Sequence, residues 1–199
     1  MLKYSHYFYG SDGMKIKYLG TAAAEGVPAI FCACDTCQKA RANGGKDIRT
    51  RSQALIDGKL LIDFGADTYS HVLKYGLDLT EIRECLITHV HSDHYYPAEL
   101  EMARTSDGVA FAHVPEGTRK FGVYGSKDIL NIPENLKEFI KNDVAFVPIE
   151  PYVSTQVAGY SVTPLRARHG SENPYNYLIS DGKKTLFYAH DTGLFLDEV

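Results

Sequence analysis

Cys85-Leu86-Ile87-Thr88-His89-Val90-His91-Ser92-Asp93-His94 is the stretch on which the reading of this chain turns. His89, His91, Asp93 and His94 are all metal-capable, and they follow directly on an apolar run. His89 and His91 are one residue apart, so an extended backbone points both to the same side. Asp93 and His94 turn away from that pair as the chain heads into the next helix, so the loop predicts two neighbouring sites. Neutral imidazole suits zinc, iron and manganese, and a carboxylate adds hard-ligand character. A solvated His-rich turn is the bland alternative. The apolar strand on one side and the helix on the other argue against it.

On the N-terminal side, Met14–Gly20 alternates like a first strand. A Gly/Ala/Pro loop, a cysteine cluster and a short helix around Thr36–Ala42 follow. Ser52–Ile56 and Lys59–Asp63 predict a hairpin turning at Asp57-Gly58. Ala66–Tyr75 is helical with a stop at Gly76, and Arg83–Thr88 is a buried strand. On the C-terminal side the pattern predicts a helix over Pro97–Arg104 and a strand over Phe121–Tyr124. A helix over Glu134–Lys141 and a strand over Ala145–Ile149 come next. Tyr160–Arg168, Tyr175–Ser180 and Thr185–Ala189 are further strands, and another helix begins near the final residue, Val199. Strands outnumber helices, and the helices interrupt them irregularly. That is the mark of an α+β layered sandwich, not of a strictly alternating parallel fold.

The 199 residues fit one domain, with residues 1–13 as an N-terminal extension and 14–199 as the fold proper. Hydrophobic residues at 44% and charged residues at 23% match ordinary globular proteins and exclude a disordered or fibrous chain. The net charge of −4 gives no support for a long nucleic-acid partner. Apolar runs fall far short of the ~18 residues that a membrane span needs. No secretory leader is visible, and three of the four cysteines crowd together, so a cytoplasmic location is the default expectation.

His-x-His-x-Asp-His after a hydrophobic strand resembles the signature of the metallo-β-lactamase superfamily of hydrolases. Leu61-Ile62-Asp63-Phe64-Gly65, Arg168-His169-Gly170 and Tyr188-Ala189-His190-Asp191-Thr192 resemble its other motifs, in the same order. The resemblance implies a four-layer αββα sandwich and two divalent ions, of zinc, manganese or iron. In that scheme His89, His91 and His169 hold one ion, Asp93 and His94 the other, and Asp191 lies between them. Asp93 and Asp191 stand closest to the chemistry. It also implies a further histidine from a later strand, and no histidine follows His190 here. The expectation is therefore a domain incomplete at its C-terminus, with a metal-poor second site and weak activity. Such a chain would self-associate or be completed by a second polypeptide. His190 itself, next to Asp191 on a strand, faces away from the ligands and is expected to pack or support rather than ligate.

Cys32-Ala33-Cys34-Asp35-Thr36-Cys37 is a C-x-C-x-x-C arrangement entering a helix. Three thiolates at this spacing match a tetrahedral structural zinc lacking one ligand. With the main motif, it narrows the resemblance to the PhnP-like subgroup of cyclic phosphodiesterases, with PqqB-type proteins alongside. Cys85, inside an apolar strand, is core.

The function this implies is metal-dependent hydrolysis. A metal-bridging hydroxide would attack a small or cyclic phosphodiester, and two ions roughly 3.5–4 Å apart would clamp the attacking and leaving oxygens. No Gly-x-Ser-x-Gly elbow, P-loop or dinucleotide fingerprint is present to compete. A tRNA 3′-processing-like nuclease and a PqqB-like, non-hydrolytic metabolite-binding protein are the alternatives. Among weaker features, Asp63 is positioned to support the metal loop. His6, His71 and His113 read as surface or packing residues. Arg49 and Arg51 read as a solvated turn, while Arg166 or Arg168 could approach the pocket. Tyr95 or Tyr96 could line it.

Overall fold

The computed structural model describes residues 13–105 and 109–194. The expected extension, Gly13 apart, and residues 195–199 of the expected last helix lie outside the described residues. The first sheet holds six strands in the order β1 (Ile16–Gly20), β2 (Gln53–Ile56), β3 (Leu60–Ile62), β4 (Glu84–Leu86), β5 (Phe121–Gly125) and β6 (Val144–Pro148). β1 to β3 are antiparallel neighbours. β3 to β6 run parallel. The hairpin between β2 and β3 turns at Asp57 and Gly58, with φ of 47° and 71°. Both are left-handed and reverse the chain, but Ile56 pairs with Leu60, so the connection takes in Lys59 as well and the register lies one residue away from that of the expected two-residue turn. A second, fully antiparallel sheet has the order β10 (Thr185–Tyr188), β9 (Tyr175–Ser180), β8 (Tyr160–Arg166) and β7 (Thr155–Val157).

Period-two alternation divides the strand residues between two cores. Leu55, Leu61, Cys85 and Val123 face outward from the first sheet, under α2 (Thr68–Tyr75) and α3 (Glu134–Ile140). Ala54, Ile56, Leu60, Ile62 and Leu86 face inward, against Val162, Tyr177 and Ile179 of the second sheet. The first sheet is thus covered on both faces, which explains why its parallel strands are rich in apolar residues on both sides. The α+β sandwich is as expected. Every described helix precedes the second sheet in sequence, including α1 (Asp35–Asn43), so the described residues supply one helical layer and two sheets. No described helix is long and apolar enough to cross a membrane.

A local expectation needs correction, and one strand was not expected. Pro97–Arg104 does not form an α-helix. It is a 3-10 helix over Pro97–Ala103, tied by bonds such as Arg104 N–H to Glu101 O, and no side chain caps its start. β7 escapes the pattern because three residues are too few to show alternation.

A buried polar network ties the β2 edge to α2. Gln53 Nε2 donates to Asp63 O and to Thr68 Oγ1, so its Oε1 accepts from His71 Nδ1 at 2.6 Å. His71 Nε2 then accepts from Thr50 Oγ1 at 2.7 Å. The neutral ring is fully satisfied, and burial lowers the His71 pKa from 6.5 to about 4. The unfolded chain therefore takes up a proton that the folded chain refuses. The contribution is intact above pH 6.5 and is lost as pH falls toward 4. Urea titrations of chelator-treated protein should show this residue adding a slope approaching about 1.4 kcal/mol per pH unit within that window. His71→Gln should flatten the profile. Parallel profiles for the two proteins would contradict the assignment.

Candidate metal centre

The centre forms where the C-terminal ends of the parallel strands meet the ends of β8 and β10. β3 ends in Asp63, and β4 runs into Thr88–His94. β8 is followed by His169, and β10 by His190 and Asp191. Phe64 pairs with Tyr95 in a parallel bridge, which brings the residues after β3 against the metal loop. Gly65 is required at this crossing, because a Cβ there would stand 2.0 Å from Asp93 O.

Asp63 organises the loop. Its backbone is left-handed, with φ of 68°, and its side chain is fully buried. Oδ1 accepts from Thr88 N–H at 2.8 Å and from Thr88 Oγ1 at 2.9 Å. Oδ2 accepts from His94 Nδ1 at 2.7 Å, which turns His94 Nε2 toward the cluster. Thr88 Oγ1 also lies 3.1 Å from His89 Nδ1. Having donated to Asp63, it accepts there, and His89 Nε2 is left as the free nitrogen. Thr88 had no role in the sequence reading; its place immediately before the first histidine was the available signal.

Two groups of ligand atoms converge: those of His89, His91 and His169, and those of His89, His94 and Asp191, each set within 4.8 Å. His91 Nδ1 is 3.0 Å from His89 Nε2 and 3.1 Å from His169 Nε2. Asp191, held at φ of 49°, places Oδ2 3.1 Å from His94 Nε2 and 3.8 Å from both His89 Nε2 and His169 Nε2. Asp93 Oδ2 is 3.3 Å from His94 Nε2. All six sequence-predicted ligands are therefore together. His190 is in neither group. It does not face away from the ligands as expected, because β10 ends at Tyr188 and strand alternation no longer holds. Its ring stacks on Tyr188, its centroid is 5.3 Å from that of His94, and its Nδ1 lies 2.9 Å from Asp191 Oδ1.

The electrostatics fit a cation. Burial, then the neighbouring imidazoles, lowers the His89 pKa to about 3, so its lone pair is available. Burial disfavours charge on His94 as well. The hydrogen bond that His94 donates to Asp63 and the charges of Asp63, Asp93 and Asp191 outweigh it and push the pKa up to about 9. Burial likewise opposes the charge on Asp191, yet four surrounding imidazoles hold its carboxyl below the ordinary value. His94 Nε2 is buried and makes no aligned hydrogen bond, despite two carboxylates within 3.3 Å. Imidazole nitrogens and carboxylates that converge on one region in this way are the donor set of a divalent transition metal.

The other sequence candidates separate cleanly. The Sγ atoms of Cys32, Cys34 and Cys37 lie within 4.8 Å of one another. Arg41 fixes their loop by donating to Cys32 O and Ala29 O. Hydrogen bonds from the Cys37 backbone and from the other two cysteines lower the Cys34 pKa to about 7. Cys85 is fully buried core, and burial raises its thiol pKa well above the ordinary value. Tyr95 is core, with its hydroxyl on Ile129 O, whereas Tyr96 is exposed. Arg51 is engaged by Asp67, and Arg49 by Thr21.

A family model described as a beta-lactamase superfamily domain matches residues 59–199. Among solved structures, a diphosphatase of the PhnP family is 22% identical, with a TM-score of 0.66, over 84% of this chain and 62% of that one. Zinc-bound PqqB from Methylobacterium extorquens is 23% identical, with a TM-score of 0.67, over 86% of this chain and 63% of that one. Human tRNase Z, short form, is 16% identical, with a TM-score of 0.52, over 86% of this chain and 67% of that one. At these identities the likeness concerns the fold. The chain spans 62–63% of the length of the first two. A search of curated proteins finds no match.

Asp63→Ala leaves three buried donors without an acceptor and puts alanine at a positive φ. The urea midpoint of chelator-treated protein should fall by the equivalent of at least about 2 kcal/mol. Asp63→Asn tolerates the left-handed backbone and keeps one acceptor, so it should recover part of that loss. An unchanged midpoint for Asp63→Ala contradicts the role given to Asp63.

Proposed function

This chain belongs to the beta-lactamase superfamily, and from that premise we propose that it is a metal-dependent hydrolase of small phosphodiesters. The observation that carries the proposal is the convergence of two ligand groups that share His89 and border Asp191, with a buried His94 Nε2 that makes no hydrogen bond among the described residues. In this reading His89, His91 and His169 hold one divalent ion. Asp93 and His94 hold a second, with Asp191 between. Bound there, the ions supply Lewis acidity toward a phosphoryl oxygen and acidify a water toward neutral pH.

The chain's own residues do the rest. Asp63 and Thr88 orient His94 and His89 so that the Nε2 of each faces the cluster, and an ion bound there would take the place of the proton that the carboxylates favour on His94. Asp93 and Asp191 keep the centre negative, so an anionic substrate approaches only once cations offset that charge. The His169 and Asp191 side chains remain 28% and 24% exposed, which leaves the cluster open to a ligand from solvent. The net charge of −4 favours a compact substrate over a long polyanion. The diphosphatase neighbour favours a phosphoanhydride as the second reading within the same phosphoryl chemistry. We further propose that Cys32, Cys34 and Cys37 hold a structural zinc, on the strength of three clustered sulfurs at the start of α1.

Manganese- or zinc-loaded protein should hydrolyse bis-p-nitrophenyl phosphate in preference to the monoester and to a β-lactam. Asp191→Ala should lower kcat/KM by at least about 100-fold, since losing a metal ligand exceeds the 10–100-fold typical of its outer partners. Lactam turnover without phosphodiester turnover would overturn the substrate class. X-ray absorption on the zinc-loaded chain should show a sulfur-rich site that disappears in Cys34→Ser/Cys37→Ser. A purely nitrogen and oxygen environment would refute the cysteine assignment.

A further inference from the structure

β5, like β3 and β4, ends at the same edge of the first sheet, and its C-terminal turn carries a side chain the chemistry has not yet used. Asp128, in the 3-10 turn Lys127–Leu130, is only 3% exposed. A buried carboxylate is costly unless its oxygens receive hydrogen bonds. Oδ2 receives two: Ser126 Oγ donates at 3.1 Å, and Asn173 Nδ2 donates at 2.9 Å. The first is local to the turn. The second crosses between the sheets.

Asn173 belongs to the turn between β8 and β9 that carries His169. That turn is closed at its base by Ala167 N–H to Pro174 O. On the Asp191 side it is held by Gly193 N–H to Arg168 O and by Arg168 N–H to Thr192 Oγ1. On the other side Asn173 reaches Asp128, from a left-handed backbone with φ of 40° that few side chains tolerate. His169 thus lies between two anchors, one leading to Asp191 and one leading to Asp128. Its Nε2 is 3.1 Å from His91 Nδ1, an arrangement that a small swing of the turn would break.

We propose that Asp128, acting through Asn173, is a positioning residue that fixes His169 in the ligand set. The inference rests on the metal reading of His89, His91 and His169. Losing such a support weakens metal binding about 10- to 100-fold.

The test is a cobalt(II) titration of the metal-free chain, followed by visible absorption, for wild type, Asn173→Gly, Asp128→Ala and the double variant. Glycine is chosen at 173 because it keeps the left-handed backbone while deleting the amide. Both single variants should bind the histidine-ligated cobalt ion, told apart by its spectrum from cobalt on the cysteine cluster, about 10-fold more weakly or worse, and the double variant no more weakly than the worse single. Asn173 is exposed, so Asn173→Gly should fold and report even if Asp128→Ala does not. Cobalt affinity unchanged in Asn173→Gly, or losses that add in the double variant, overturns the inference while leaving the metal reading intact. Wild type that binds no cobalt with histidine ligation overturns both. Melting of the metal-free proteins separates the roles further, since a purely structural Asp128 lowers stability without changing cobalt affinity.

Discussion

The buried carboxylate of Asp63 is the constraint on which the centre depends. It sits at the end of a three-residue strand in a left-handed conformation, with no solvent to share its charge. It is tolerated because three donors from the neighbouring loop converge on it: the Thr88 N–H, the Thr88 hydroxyl and His94 Nδ1. Each bond also does something for the site. The bonds to Thr88 hold the start of the metal loop in line with β4, and the bond to His94 selects which ring nitrogen faces the ligands. Gly65 completes the arrangement by letting the two backbones approach where any side chain would collide with Asp93 O.

Neither sheet could build the centre alone. The first supplies His89, His91, Asp93 and His94 from one loop; the second supplies His169 and Asp191 from two others. The apolar layer between the sheets, from Ile62 and Leu86 to Tyr177 and Ile179, sets the distance between these loops. Two hydrogen bonds then pin the sheets together beside the loop. Tyr177 donates to Ile87 O at 2.5 Å, and Tyr175 N–H donates to Thr88 O at 2.8 Å. Packing in the core is thereby translated into ligand geometry at the rim.

Much of this was legible in the sequence because the decisive groups are close together along it. His89 to His94 announced their chemistry through residue type and spacing, and the Asp57-Gly58 turn announced a hairpin, although Lys59 joins the connection and moves the register by one residue. His169 and Asp191 were found through the family resemblance, since nothing in their immediate surroundings specifies a ligand. What stayed hidden depends on contacts between distant segments. The Gln53–His71–Thr50 network joins residues 18 and 21 positions apart. The Asp128–Asn173 bond spans 45 positions. A buried histidine and a buried aspartate look like surface residues until the fold encloses them. The 3-10 geometry at Pro97–Ala103 was equally invisible, because its apolar spacing resembles that of an α-helix.

The central claim is that the imidazole and carboxylate cluster is a metal centre, not a self-satisfied polar network. Elemental analysis of protein purified without chelator, beside a His89→Ala/His91→Ala variant, addresses it most directly. The account predicts a transition metal in the wild-type chain beyond whatever the cysteine cluster retains, and loss of that excess in the variant. Equal metal content in the two proteins would contradict it.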